Sequence, residues 1–115
     1  MSKTYFGFAL ADSMFAECGD CVISRRVLTV EEVKGLESSL TPCLNPSHEA
    51  TIQAMRSRFG INVSIPDVPP RVTLHDGDSV IVMGVRGLPR LTDRHEYSAE
   101  EIAAASFAFT LYSVE

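Results

Sequence analysis

The chain predicts an α/β domain of the mixed α+β kind, with one sheet of about five strands and helices packed against it. Three features carry that expectation. Short apolar runs rich in branched residues recur between turn residues, as strands do. Two capping boxes, Thr29-Val30-Glu31-Glu32 and Ser98-Ala99-Glu100-Glu101, mark helix starts among them. The length sets the scale: 115 residues, 45% of them hydrophobic, fit one compact domain over residues 1–115 and leave no room for a second.

The elements follow in order. Residues 3–10 are apolar and aromatic and read as a buried first strand, followed by a loop over residues 12–20. Residues 21–28 contain Val22, Ile23, Val27 and Leu28 and form a second strand, on which Arg25 and Arg26 point to opposite faces. Thr29 then opens a short helix with Val30, Val33, Leu36 and Leu40 on one side. After a short apolar strand, the spacing of Ile52, Met55 and Phe59 gives a second helix with Gly60 as its stop, and Arg56 and Arg58 read as its solvent side. The proline-rich residues 61–70 are an irregular connection. Residues 71–74 and 79–83 read as strands joined at His75-Asp76-Gly77-Asp78, since Asp-Gly is a strong hairpin signal, with His75 structural or exposed in the turn. Residues 84–97 form a polar loop. Ser98 opens a helix to about Ala105, and residues 107–114 close the sheet with Phe107, Phe109 and Leu111 in the core.

Composition excludes several functions. The apolar run from residue 5 to 11 is too short to cross a membrane and lacks a basic region and cleavage site, so a cytoplasmic protein is expected. A formal net charge of −5 opposes capture of long DNA or RNA, so a nucleotide ligand has to be small and held by a few focused arginines. Three cysteines without a secretory signal point to reduced thiols rather than a disulfide framework.

The most informative stretch is Leu44-Asn45-Pro46-Ser47-His48-Glu49-Ala50-Thr51, which puts one histidine on the first turn of a helix. Ser47 or Asn45 can cap that helix, and its free N–H groups offer a docking place for a phosphate. His48 would then stand beside a bound phosphodiester, where it could protonate a departing 5′ oxygen with no metal involved. A lone histidine near a helix start is more often a polar surface residue. Arg86, Arg90 and Arg94 recur with His95 in one loop, a basic cluster that could fold over an anion or simply be solvated. Cys18-Gly19-Asp20-Cys21 with Cys43 and His48 has a permissible zinc spacing, against the plainer reading of thiols at strand ends and no cofactor at all.

This layout resembles the small ring nuclease family of archaeal viruses, bacteriophages and bacteria, recognised as viral anti-CRISPR enzymes. The corresponding stretches are residues 6–15 with Met14, then Ser47-His48-Glu49-Ala50-Thr51, Pro70-Arg71, Gly77-Asp78 and Arg90-Leu91-Thr92-Asp93, with the final helix and strand in matching order. The resemblance implies a two-fold homodimer that binds cyclic tetra-adenylate and cuts it without metal. It assigns the general acid to His48, stabilisation of phosphate charge to Arg90, the acidic position of the Arg-Leu motif to Asp93, and a further phosphate contact to Arg71. Ligand contacts would come from Ser47, Ala11, Ser13 and Arg86. The chain departs from the family at Phe8 and Ala11, where Asn and Ser are usual, at Ser13 for a second Asn, and at Ser47 for glycine. A competent nuclease, a nuclease for another cyclic oligonucleotide, and a binder that sequesters without cutting all follow from that pattern, with Phe8 a candidate for stacking on adenine.

Overall fold

The structure, a computed structural model, describes residues 3–8, 10–44, 49–66, 71–88 and 97–115. Five strands build one mixed sheet: β1 (Thr4–Gly7), β2 (Ile23–Leu28), β3 (Leu40–Pro42), β4 (Ser79–Arg86) and β5 (Ser106–Val114), in the order β2-β5-β4-β1-β3. β1 is parallel to both β3 and β4, while β5 is antiparallel to β4 and β2. Four strands therefore run one way and β5 alone returns. The helices are α1 (Val30–Leu36), α2 (Glu49–Phe59) and α3 (Ala99–Ala104). The α+β class expected from the sequence is the one observed. Among the described residues, no helix is long and apolar enough to cross a membrane.

Alternation along the strands divides the core in two. One face sends Phe6, Leu28, Ile81, Met83 and Phe109 against Val33 of α1 and Ile52 and Met55 of α2. The other sends Tyr5, Val80 and Val114 against Val72 and Leu74, with Met14 and Phe15 of a 3₁₀ turn (Asp12–Phe15) beside them. Phe8 packs against the helix-side core rather than standing free for a base. Both capping boxes form, with Thr29 and Ser98 accepting from the N–H groups of Glu32 and Glu101 and each glutamate reaching back. Gly60 ends α2 at φ +70°, with its N–H on the carbonyl of Arg56 at 2.8 Å.

Four local expectations are corrected. Residues 71–74 join no strand ladder, because both edges of β4 are taken by β1 and β5. Val72 and Leu74 still alternate inward, and Leu74 donates to the carbonyl of Met14 at 2.7 Å, so the Asp-Gly step turns the chain without making a hairpin. Leu40 lies in β3, not on the first helix, and β4 runs on to Arg86, which pairs with Ser106 instead of entering a loop. Arg56 and Arg58 do not simply decorate α2. Arg56 donates to the carbonyl of Val63, and Arg58 donates to those of Ile102 and Ala105 while lying 5.2 Å from the ring of Phe59 and 5.5 Å from that of Phe107. Arg25 and Arg26 diverge as expected, one to Tyr112 across β5 and the other to Glu32 on α1.

Gly7 shows how closely the layers approach. A Cβ there would lie 2.9 Å from Cys43 Sγ, whose thiol donates to the carbonyl of Phe6. Gly7→Ala should lower stability by about 1 to 3 kcal/mol through overpacking. Combining it with Cys43→Ala should recover part of that loss in a denaturant double-mutant cycle, and strictly additive effects would show that the two sites do not press on one another.

Candidate functional site

Because β1, β2, β3 and β4 run the same way, the chain leaves all four at one edge of the sheet, after Gly7, Leu28, Pro42 and Arg86. Ligands of open α/β sheets bind outside the carboxyl ends of the strands. Of the residues singled out from sequence, Arg86 ends β4, Ala11 caps the 3₁₀ turn and Ser13 lies within it. Both Ala11 and Ser13 are exposed, and Ala11 lines a shallow cleft with Leu10, Asp20, Cys21 and Ile23. His48, Ser47, Arg90 and Asp93, together with Arg94 and His95, lie outside the described residues. The chain reaches the first pair through Leu44, which is 1% exposed, and α2 begins at Glu49 directly after His48.

Arg71 belongs to a different cleft from Ala11. It shares a polar hollow of about 570 Å³ with Lys3, Tyr5, Thr73, His75, Asp76 and Asp78, beside the amino-terminal ends of β1 and β4. The hollow's floor is made by a buried acid. Asp78 is 4% exposed, and its two carboxylate oxygens accept from the N–H of Lys3 at 2.8 Å and of His75 at 3.0 Å. The His75 ring stands 3.5 Å away through Nδ1. Burial raises the Asp78 pKa, but the hydrogen bonds from Lys3 and His75 outweigh it and hold the carboxyl below the ordinary 3.8. Gly77, at φ +88°, makes the turn that brings His75 onto this acid, and Asp78 donates to the His75 carbonyl at 2.9 Å. Residues 71, 73 and 75 point into the hollow because 72 and 74 point into the core.

Of this group, sequence reading gives a ligand contact to Arg71 alone, with His75 as a turn residue and Asp78 as part of a matching pair. Lys3, Thr73 and His75 come from two separated stretches, and only the fold joins them. A visible signal was the aspartate directly before an apolar strand, where a carboxylate can take the first free N–H groups. The cysteines form no comparable centre. Cys18 donates to the carbonyl of Leu74 at 2.8 Å and Cys43 to that of Phe6 at 3.1 Å. Burial pushes both thiols above the ordinary 9.0, Cys18 also through the neighbouring Cys21, so they stay protonated donors. Among the described residues, no cluster of three or more His, Cys, Asp or Glu is arranged to hold a metal.

No family model and no curated protein matches the chain by sequence. Among solved structures it is similar to B116 of Sulfolobus turreted icosahedral virus (STIV), at 18% identity and a TM-score of 0.67, over 97% of this chain and 99% of that one. The fold is thus shared with a viral protein over nearly the full length of both.

The Asp78 anchor has a pH signature. Its folded-state pKa lies below the unfolded value, so its stabilisation is complete above about pH 3.8 and disappears as the pH falls further, through the lowered value. Asp78→Ala should cost about 2 to 4 kcal/mol at neutral pH, since two partly buried hydrogen bonds to a charged acceptor are lost. Asp78→Asn should flatten the acid limb of a stability–pH curve. An unchanged acid limb in that variant would show that another carboxylate sets it.

Proposed function

We propose that the protein binds a cyclic oligoadenylate, cyclic tetra-adenylate first among them, and cleaves it without a metal, so switching off type III CRISPR signalling. The observation that carries this reading is collinearity. The Ser47-His48, Arg71, Gly77-Asp78 and Arg90-Leu91 stretches follow one another in the family order, and in sequence the first and last come after β3 and β4, two parallel-running strands. The likeness to a viral protein over nearly the whole chain supports a viral setting, in the cytoplasm of a prokaryotic or infected host cell.

In this mechanism the ribose 2′ hydroxyl attacks its own phosphorus in line, losing its proton to solvent, and the P–O5′ bond breaks to leave a 2′,3′-cyclic phosphate. His48 gives its proton to the departing 5′ oxygen. Arg90 stabilises the charge that builds on the phosphoryl oxygens, beside Asp93. Ser47, Ser13, Ala11 and Arg86 hold the ring, while Arg71, expected beside them, lines the separate hollow at the amino-terminal ends of β1 and β4. A ring of four identical nucleotides has two-fold symmetry available, and an isologous homodimer presents the same residues to opposite halves of it.

One observation favours a second reading, in which the ring is bound and not cut. Phe8 stands where the family carries a polar contact and is drawn into the helix-side core. Fewer polar contacts would leave the ring less firmly oriented for in-line attack.

His48→Ala should lower the single-turnover rate on cyclic tetra-adenylate by about 10² to 10⁴ in EDTA, with binding nearly intact. Recovery of intact ligand from the unmodified protein after heating would select sequestration instead. Arg90→Ala should weaken affinity by about 1.5 to 3 kcal/mol in calorimetry. Light scattering with ligand present should give a dimer, and a monomer at micromolar concentration would remove the symmetric site.

A further inference from the structure

We infer that the hollow lined by Lys3, Arg71, Thr73 and His75 is a binding site for a phosphate group. It is separate from the cleavage reading, whose Arg86 contact lies at the opposite end of β4, and rests on the charge and geometry of the hollow alone.

Most described arginines are already engaged: Arg25 with Tyr112, Arg26 with Glu32, Arg56 with Val63, and Arg58 with Ile102 and Ala105. The side chains of Lys3 and Arg71 have no hydrogen-bond or salt-bridge partner among the described residues, yet both line one concave surface. Among the described residues, the Lys and Arg side chains left without such a partner are Lys3, Lys34, Arg71 and Arg86, and two of them converge on this hollow together with the His75 imidazole. Thr73 adds a hydroxyl and Tyr5 a ring edge.

Two acids also border the hollow, and they differ in availability. Each carboxylate oxygen of Asp78 already accepts a backbone N–H, so the group is occupied as a ligand for a cation. Asp76 is exposed on the turn at the rim. What the hollow offers a guest is therefore donors: an ammonium, a guanidinium, a hydroxyl and an imidazole. A guanidinium fork with an ammonium beside it matches the oxygens of a phosphate, and a cavity of about 570 Å³ admits one with its attached sugar. Asp78 fixes the spacing, because it joins the backbones of Lys3 and His75.

The phosphate can belong to an oligonucleotide or come free, and the arms of one experiment separate them. Inorganic phosphate, adenosine 5′-monophosphate and linear tetra-adenylate with a terminal phosphate are each titrated into ¹⁵N-labelled protein. Saturable shifts at the amides of Thr73, His75 and Asp78 are expected. The Lys3→Gln/Arg71→Gln variant, whose altered side chains support nothing else in the fold, should weaken binding at least about tenfold. Lys34→Gln on α1 should not. A response to all three probes assigns a general phosphate site, and a response to the tetra-adenylate alone assigns an oligonucleotide subsite. Silence from all three, or binding unaffected by the double variant, overturns the inference. His48→Ala should leave these shifts unchanged, so failure of the cleavage reading and failure of this one are separately visible.

Discussion

The fold depends on one buried carboxylate. Asp78 precedes β4, accepts from Lys3 at the entrance to β1, and uses its own backbone carbonyl to receive Val114 at the end of β5 at 3.0 Å. Ser79 then donates to the Lys3 carbonyl at 2.9 Å, and Gly77 to that of Val114 at 3.0 Å. Three strands distant in sequence are brought into register at this corner. A serine pair, Ser79 with Ser113 at 2.9 Å, completes it on the helix side. Removing this buried acceptor would leave partly buried donors without a partner, so the acid is tied to the sheet more tightly than an exposed ion pair would be.

The two faces of the sheet are closed by different means. Helices cover one face, and their hold is partly cationic: Arg58 reaches from α2 to the last carbonyls of α3 and covers the edge-to-face pair Phe59 and Phe107, whose centroids are 5.3 Å apart. Irregular backbone covers the other, held by single hydrogen bonds such as Leu74 to Met14 and Cys18 to Leu74. The irregular layer can therefore carry a hollow without opening the main core.

Legibility followed the range of the interactions. Capping boxes, the Gly60 stop and the apolar spacing of α2 act within a few residues, and the chain displays them directly. The Asp-Gly step misled because it specifies a turn and not the partner of the strand after it. β5 arrives from the far end of the chain and takes the place a hairpin partner would have had. The arginines of α2 were misread for the same reason, since their carbonyl partners lie on segments that only packing brings near. At the candidate sites the short pattern around His48 could be seen at once, whereas the hollow of Lys3, Arg71 and His75 could not, because its residues share no local spacing.

The two borders of the sheet differ in how they meet another chain. β3 is three residues long, and the N–H of Cys43 bonds inward to Phe6, so the position before it, Pro42, turns its missing donor outward. β2 is longer and bears exposed Ile23 and Val27 at 40% and 63%, with Val22 exposed just before it, the composition that invites strand addition. Arg25 and Arg26 occupy its centre, and an antiparallel copy laid along it would set arginine against arginine. Stacking of these sheets end to end into fibrils is thus opposed on one side by a missing hydrogen and on the other by like charge, and salt would weaken only the second barrier.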